Sequence, residues 1–245
     1  MEIYEIENRI LDVYDECEIQ AFPFDCHKVL EHYGYRIFTY QQLRKTNYRL
    51  YSYCCRLSDD AFHYKNLKIV AYDETKLPQR IRFSLMHELG HIILAHNKET
   101  PHAEHEANYF ASHILAPRMA IYYSRCRNKE SIAKLFDISL SAAGLALNDY
   151  KTWYEKASKH IRPLDRRMYL HFYDPVSKSF VYHVEECFWC GAPVYNFSTR
   201  HYSKLSICPQ CMIRQIHAKG AVYDRYRRMD EAQRKIQIWE EQEVP

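Results

Sequence analysis

The chain has 245 residues, of which 47% are hydrophobic and 27% charged, as in an ordinary globular protein. Its net charge of +3 is too small to indicate a nucleic-acid partner by itself. Only 5 glycines are present, which argues against an all-β protein rich in tight turns and favours helices.

Targeting signals are absent from the sequence pattern. No apolar run is long enough to predict a membrane span, and the acidic start Met1–Glu5 lacks the charged and apolar regions of a signal peptide. We therefore expect a cytoplasmic protein without a membrane partner. In a reducing cytoplasm, the nine cysteines would be thiols or metal ligands.

The first 72 residues predict two helices and a small sheet. Apolar positions recur at helical spacing within residues 1–20, which predicts a surface helix. Asp25 is placed to cap a second helix that ends near Gly34. Segments 35–40, 48–57 and 67–72 predict three strands of an antiparallel sheet, because they combine aromatic and apolar residues between polar turns.

The stretch His87-Glu88-Leu89-Gly90-His91 carries the main chemical signal. It lies in a predicted helix that begins at Pro78. Residues four apart share one helical face, so both imidazoles could hold one Zn²⁺ at about 2.0–2.1 Å. Glu88 then lies at the edge of that face, where it could accept a proton from a metal-bound water. A pattern of five residues also occurs by chance on amphipathic helices. If the pattern is a metal site, the small Gly90 would let another segment of the chain come close to the metal.

A second helix follows, and it offers a third ligand. Thr100 is a suitable N-cap before Pro101, and Pro117 ends the helical pattern. Two glutamates qualify by position. Glu106 shares a face with the large apolar residues and points toward the core, whereas Glu104 lies about 160° away at ~100° per residue. We therefore predict Glu106 as the ligand, the alternative for either being a solvated surface carboxylate.

The two helices together resemble the ImmA/IrrE family of metallopeptidases. The resemblance rests on Arg82-Phe83-x3-His87-Glu88-Leu89-Gly90-His91-x2-Leu94-x-His96 and on Glu104-x-Glu106-Ala107-Asn108-x-Phe110-Ala111-x2-Ile114-Leu115-x-Pro117. It implies an α+β, zincin-like fold in which His87, His91 and Glu106 hold a catalytic Zn²⁺ and Glu88 acts as general base. It also implies an endopeptidase that cleaves a regulatory protein such as a repressor.

Residues 128–158 have the pattern of a helix-turn-helix, with Ser139 as the cap of its second helix. A helix that reads DNA needs basic and amide side chains. Segment 139–148 contains neither Lys nor Arg. We therefore favour a helical packing subdomain, at about residues 120–160, over DNA recognition.

Four paired cysteines predict a second, structural Zn²⁺ site. Cys187 and Cys190 are followed, seventeen residues later, by Cys208 and Cys211. Two C-x2-C pairs at this separation are typical of a zinc ribbon, in which four thiolates close the coordination shell. The alternative is four buried thiols. Such a short segment buries little core, so we expect the metal to supply its folding free energy.

The predicted domain organisation has two parts. Residues 1–160 form the peptidase domain, including the helical subdomain. Residues 161–245 comprise a hairpin with strands at 168–173 and 179–184, the zinc ribbon at 187–211 and a charged terminal helix. Basic residues dominate segment 200–235, which is usually a solvated face. The competing hypothesis is a non-enzymatic, zinc-stabilised regulator that uses this segment to bind nucleic acid or a partner protein.

Overall fold

The computed structural model describes residues 2–98, 100–158, 161–196 and 206–215. The chain divides into two compact units, Met1–His183 and Val184–Pro245. No helix in the described residues is long and apolar enough to cross a membrane. Segment 161–183, which the sequence analysis grouped with the C-terminal part, lies in the first unit.

The first unit is mainly helical, and its secondary-structure elements confirm the α+β class. Its helices are α1 (Ile3–Glu16), α2 (Cys26–His32), α3 (Tyr40–Thr46), α4 (Tyr48–Leu57), α5 (Pro78–Ile93), α6 (Pro101–Leu115), α7 (Arg118–Ser124), α8 (Lys129–Phe136), α9 (Leu140–Ala157) and α10 (Pro163–Phe172). Its strands are β1 (Arg36–Thr39), β2 (Ala61–Tyr64), β3 (Ile69–Tyr72), β4 (Tyr173–Asp174) and β5 (Ser179–Phe180).

The three-stranded sheet is mixed rather than antiparallel. β3 lies in the centre, parallel to β1 and antiparallel to β2. The predicted antiparallel arrangement is wrong because the strand after β1 in the sheet is β3, which returns in the same direction after α3, α4 and β2. β2 is consequently an edge strand, and this places His63 beside α5.

Two predicted strands are helices. Segment 48–57 forms α4, which Asn47 caps by accepting a hydrogen bond from the Leu50 N–H group at 3.1 Å. Its buried residues Leu50 and Cys54 are four apart, a helical spacing. The other predicted strand, 168–173, forms the second half of α10, which begins with Pro163, and its last residue, Tyr173, begins β4. The aromatic residues of both segments led to the prediction of strands. Both segments form helices instead, because packing of one helical face against the rest of the protein outweighs the strand preference of aromatic residues.

The helix signals near the chemical motifs are confirmed. Asp25 caps α2, Thr100 caps α6 and Ser139 caps α9, each through its side-chain oxygen. α5 and α6 pack on the main hydrophobic core through fully buried residues such as Leu85, Leu89 and Phe110. The motif helices are therefore rigid parts of the core.

The second unit contains a short hairpin and a cysteine cluster. Strands β6 (Val184–Glu186) and β7 (Pro193–Tyr195) pair antiparallel, and residues 209–215 are helical. Its buried cluster consists of cysteines and Val194, with Ala192 and Ile207 packed against it. The described part of this unit therefore has a small apolar core.

Candidate metal centre

The close crossing of α5 and α6 builds the candidate site. A Cβ atom on Gly90 would lie 3.2 Å from the Ala107 Cα atom and 3.3 Å from the Phe110 Cβ atom. Real Cβ contacts are seldom this close, so only glycine permits the crossing at this distance. Gly90 lies between Glu88 and His91, and its lack of a side chain brings α6 against the motif, as the sequence analysis expected.

Three donor atoms from the two helices converge. The Nε2 atoms of His87 and His91 are 3.0 Å apart. The two carboxylate oxygens of Glu104 face one nitrogen each, with Oε2 3.3 Å from His87 Nε2 and Oε1 3.2 Å from His91 Nε2. Ligand atoms on a tetrahedral Zn²⁺ with bonds of about 2.0–2.1 Å are about 3.3 Å apart. The separations in the structure therefore fit a single zinc ion bound by these three side chains.

Hydrogen bonds to the other ring nitrogens fix both imidazoles. The Nδ1 atom of His87 lies 3.0 Å from the Asn108 Oδ1 atom, and that of His91 lies 2.9 Å from the His96 Nδ1 atom. If each Nδ1 carries the hydrogen, each Nε2 presents its lone pair to the metal position. Burial, and then the charges of His87, His96 and His63, lower the pKa of His91 to about 3, so this ring is neutral at pH 7.

The structure brings Glu104, and not the predicted Glu106, to the two histidines. Glu106 is buried, and its Oε2 atom lies 2.9 Å from the His96 Nε2 atom. Glu106 was predicted because it faces the core. Glu104 and Asn108, four residues apart on α6, share the face toward His87, so Glu104 is the carboxylate that lies beside the two histidines.

His96 and Glu106 form a hydrogen-bonded chain behind His91. If the His96 hydrogen is on Nε2, that group donates to the Glu106 carboxylate and the His96 Nδ1 atom can accept from His91. Burial raises the pKa of Glu106, hydrogen bonds including that from His96 lower it, and the net direction is downward. The ionised carboxylate therefore favours the His91 tautomer that presents Nε2.

Glu88 is held by a residue that the sequence analysis missed. The His63 Nδ1 atom lies 2.6 Å from the Glu88 Oε2 atom, and the His63 backbone N–H group donates to the same oxygen at 3.2 Å. β2 was not predicted as a strand, and the one signal in its sequence is a histidine between two aromatic residues. Only the sheet order places that histidine beside α5.

A cleft of about 300 Å³ opens over the three donor atoms. Glu88 faces it from one side, and its far wall comes from the end of α4 and from β2. A zinc ion held by these three side chains would keep one coordination position for water or substrate, as catalytic zinc sites do, and the cleft would give access to it.

The four predicted cysteines of the second unit also cluster. One sulfur atom from each lies within 4.8 Å of the others, and none is in a disulfide. The Cys208 N–H group donates to the Cys187 Sγ atom at 3.2 Å, and this bond is the first cause that lowers the pKa of Cys187, to about 6. Gly191 follows the first pair with φ of +71°, which a tight turn around a metal requires. Four sulfur atoms would close the shell of a zinc ion.

Together, the fold and the donor set define a zincin-like protein with a metallopeptidase-type site. The sequence of residues 26–148, about half of the chain, matches the peptidase family described as the IrrE N-terminal-like domain. The chain belongs to this family, and the predicted resemblance is confirmed.

Other comparisons add little. No curated protein matches the chain. One solved structure, a Mycobacterium tuberculosis transcriptional regulator, aligns with 14% identity over 67% of this chain and 49% of that one. The chain thus spans about half the length of that protein, and a TM-score of 0.42 carries no argument about function.

Some features predicted from the sequence lie outside the residues that the structure describes. The charged terminal helix and the basic residues after Ile216 lie there, and so does segment 197–205 between the two cysteine pairs. Arg214 is the basic residue of segment 206–215 and is exposed. Nucleic-acid binding through this region therefore stays a prediction.

Proposed function

We propose that the chain is a zinc-dependent endopeptidase whose metal ligands are His87, His91 and Glu104. The observation that carries this proposal is the convergence of three side chains, whose donor atoms lie within 4.8 Å of one another, beside the carboxylate of Glu88. Membership in a peptidase family supports the reaction type. When bound, zinc would supply an acidified water and polarise the scissile carbonyl group.

The residues of the chain have separate tasks in this proposal. His87 and His91 present neutral Nε2 atoms because Asn108 and His96 occupy their Nδ1 atoms. Glu88 accepts the proton of the attacking water and delivers it to the leaving amine. His63 keeps the Glu88 carboxylate at the edge of the cleft through two hydrogen bonds.

The proposed substrate is a protein, and within that class a regulatory protein such as a repressor. This finer assignment rests on the ImmA/IrrE resemblance of the two motif helices. We also propose the cytoplasm as the compartment, because the four clustered thiols of the second unit need reducing conditions to bind a structural zinc ion.

A proteome-derived peptide library tests the proposed reaction. The zinc-loaded full chain is incubated with the library, and mass spectrometry identifies new peptide termini. We expect cleavage by the parent chain, and a loss of about 10²–10⁴-fold in rate for Glu88→Gln with unchanged zinc content. Equal cleavage by parent and variant would contradict the role of Glu88, and absence of cleavage by the zinc-loaded parent would contradict the enzymatic account.

A further inference from the structure

A large apolar groove lies beside the candidate metal centre and is not part of it. We call it the α9 groove. It has a volume of about 620 Å³ and lies between α5, the C-terminal half of α6 and the first half of α9. This volume is in the range of sites that bind ligands. Its apolar lining includes Leu77, Phe83, Ile138, Ala142, Leu145 and Ala146.

The groove borders His87 on the Nδ1 side of its ring, and the Nε2 side of the same ring faces the other donor atoms. Asn108 lines the groove, and its Oδ1 atom lies 3.0 Å from the His87 Nδ1 atom. Phe83, one helical turn before His87, also lines the groove, and the two rings have centroids 6.3 Å apart. A polypeptide that crosses the donor atoms and continues past His87 therefore enters the α9 groove within a few residues.

The wall formed by α9 is fixed in position. Asp149, at the far end of the groove, accepts a hydrogen bond from the Arg118 guanidinium group at 2.9 Å and lies 3.1 Å from the His113 Nε2 atom. Ala143, on the opposite face of α9, is fully buried in the core. The groove is therefore preformed and costs little reorganisation on binding.

Two leucines are exposed along the apolar side of the groove, and the other exposed residues that line it are polar or charged: Arg80, His105, Asn108, Ser112, Ser139 and Ser141. Leu145 is 70% exposed and Leu77 is 74% exposed, and small side chains of α9 such as Ala142 and Ala146 leave room beside them. Solvent-exposed leucines around a concave apolar surface indicate a binding site for apolar side chains. Arg80 is the one Lys or Arg among the described residues that line the groove, and it is paired with Asp60. So little positive charge argues against a nucleic-acid ligand.

We propose that the α9 groove is a specificity subsite that binds a large apolar side chain of the substrate, such as Leu, Ile, Met or Phe, within a few residues of the scissile bond. The occupant follows from the continuity of the groove with the hydrolytic site. The proposal rests on the proposed peptidase function, and it adds the feature of the substrate that this chain selects.

Two exposed leucines on helices form a matched pair for the test. Leu145 lines the groove on α9, whereas Leu170, which is 61% exposed on α10, does not line it. In each case Leu→Glu places a charge on an exposed helical surface. The parent chain, Leu145→Glu and Leu170→Glu are incubated with the peptide library, and their cleavage sites are compared.

We expect the parent chain and Leu170→Glu to cleave peptides with a large apolar residue at one fixed position near the cut. Leu145→Glu should lose this preference. Its cleavage rate on peptides with the apolar residue should fall about tenfold or more, because a charge now borders the subsite. Its zinc content should equal that of the parent. The proposal is overturned by a parent cleavage profile without an apolar position, or by identical profiles for the two variants.

A binding experiment separates the groove from the reaction. The zinc-loaded Glu88→Gln chain is immobilised and presented with the same library, and retained peptides are sequenced. The groove is supported if apolar peptides are enriched and if adding Leu145→Glu to the Glu88→Gln chain abolishes that enrichment. This holds even if the parent cleaves nothing, a result that would contradict only the peptidase function. If no peptide is enriched, or if light scattering shows a dimer that Leu145→Glu dissociates, the groove is not a substrate subsite.

Discussion

The two candidate metal sites of this chain are built in different ways. The first takes His87, His91 and Glu104 from two long helices that pack on the main core. The second takes four cysteines from a unit whose described part has a small apolar cluster of its own. Packing therefore positions the donors of the first site before metal binds, whereas we propose that the second unit depends on metal for its own folding. The first has three protein donors and a cleft, and the second has four sulfur atoms.

The largest expected effect is on the second unit when its metal is removed. Structural zinc contributes about 10–16 kcal/mol to folding in small zinc domains. We expect Cys208→Ser, or a chelator, to abolish hydrogen-exchange protection in residues 184–196 and 206–215 while the first unit stays protected. Cys55→Ser, at a half-buried cysteine outside the cluster, is the control. If the second unit of metal-free Cys208→Ser keeps its hydrogen-exchange protection, this unit does not need metal to fold, and the two sites do not differ in this respect.

A smaller effect, on the zinc affinity of the first site, is expected when the hydrogen-bonded chain from His91 through His96 to Glu106 is altered. In Glu106→Gln the side chain keeps its shape but loses the charge that holds the Nε2–H group of His96. Zinc affinity of the first site, measured by competition with a chromophoric chelator, should fall about 10–100-fold. The equivalent change at Glu130, in the first turn of α8, should leave affinity unchanged. An unaltered affinity in Glu106→Gln would mean that the chain through His96 does not support the metal site.

The contact between His63 and Glu88 predicts an effect on rate rather than on metal binding. His63→Ala removes the Nδ1 contact with the Glu88 carboxylate but keeps the backbone N–H bond. We expect the cleavage rate on library peptides to fall by about tenfold, with unchanged zinc content. His63→Asn should recover part of the rate, because its amide can donate to the same oxygen. A parallel loss of zinc would place His63 in metal binding instead.

The smallest expected effect concerns the helix crossing. Gly90→Ala adds a methyl group 3.2 Å from the Ala107 Cα atom, which overpacks the crossing. The better helix propensity of alanine offsets about 1 kcal/mol of that cost, so the free energy of unfolding should fall by about 1 kcal/mol. Gly144→Ala, where an added Cβ meets nothing within 4 Å, should stabilise the chain. Urea unfolding of both variants checks this contrast.

Sequence patterns predicted what depends on local spacing. The bounds of α6 follow from Thr100 and Pro101 at its start and Pro117 beyond its end, and the four cysteines cluster as their pair spacing indicates. These features can be predicted from residues that are close in the sequence or from the repeated spacing of a pair of cysteines. For the same reason the helix that carries His87 and His91 was predicted with the correct start.

Features that depend on how elements cross were not predicted. Burial alone favoured Glu106 over Glu104, but the structure places Glu104 beside His87 and His91, on the face of α6 that also carries Ala107 against Gly90. His63 reaches Glu88 because β2 is an edge strand, which depends on a sheet order that the sequence does not encode locally. The residues that position a site were therefore harder to predict than the motif itself.

The most direct test compares the two glutamates of α6. Zinc per chain is measured in the parent, Glu104→Gln and Glu106→Gln at a free zinc concentration, set by a metal buffer, that saturates the first site of Glu106→Gln. With Glu104 as the third ligand, the parent binds two zinc ions, Glu104→Gln keeps only the one in the cysteine cluster, and Glu106→Gln still binds two at saturation. Loss of the first zinc ion from Glu106→Gln, with full retention in Glu104→Gln, would contradict the donor set on which the account rests.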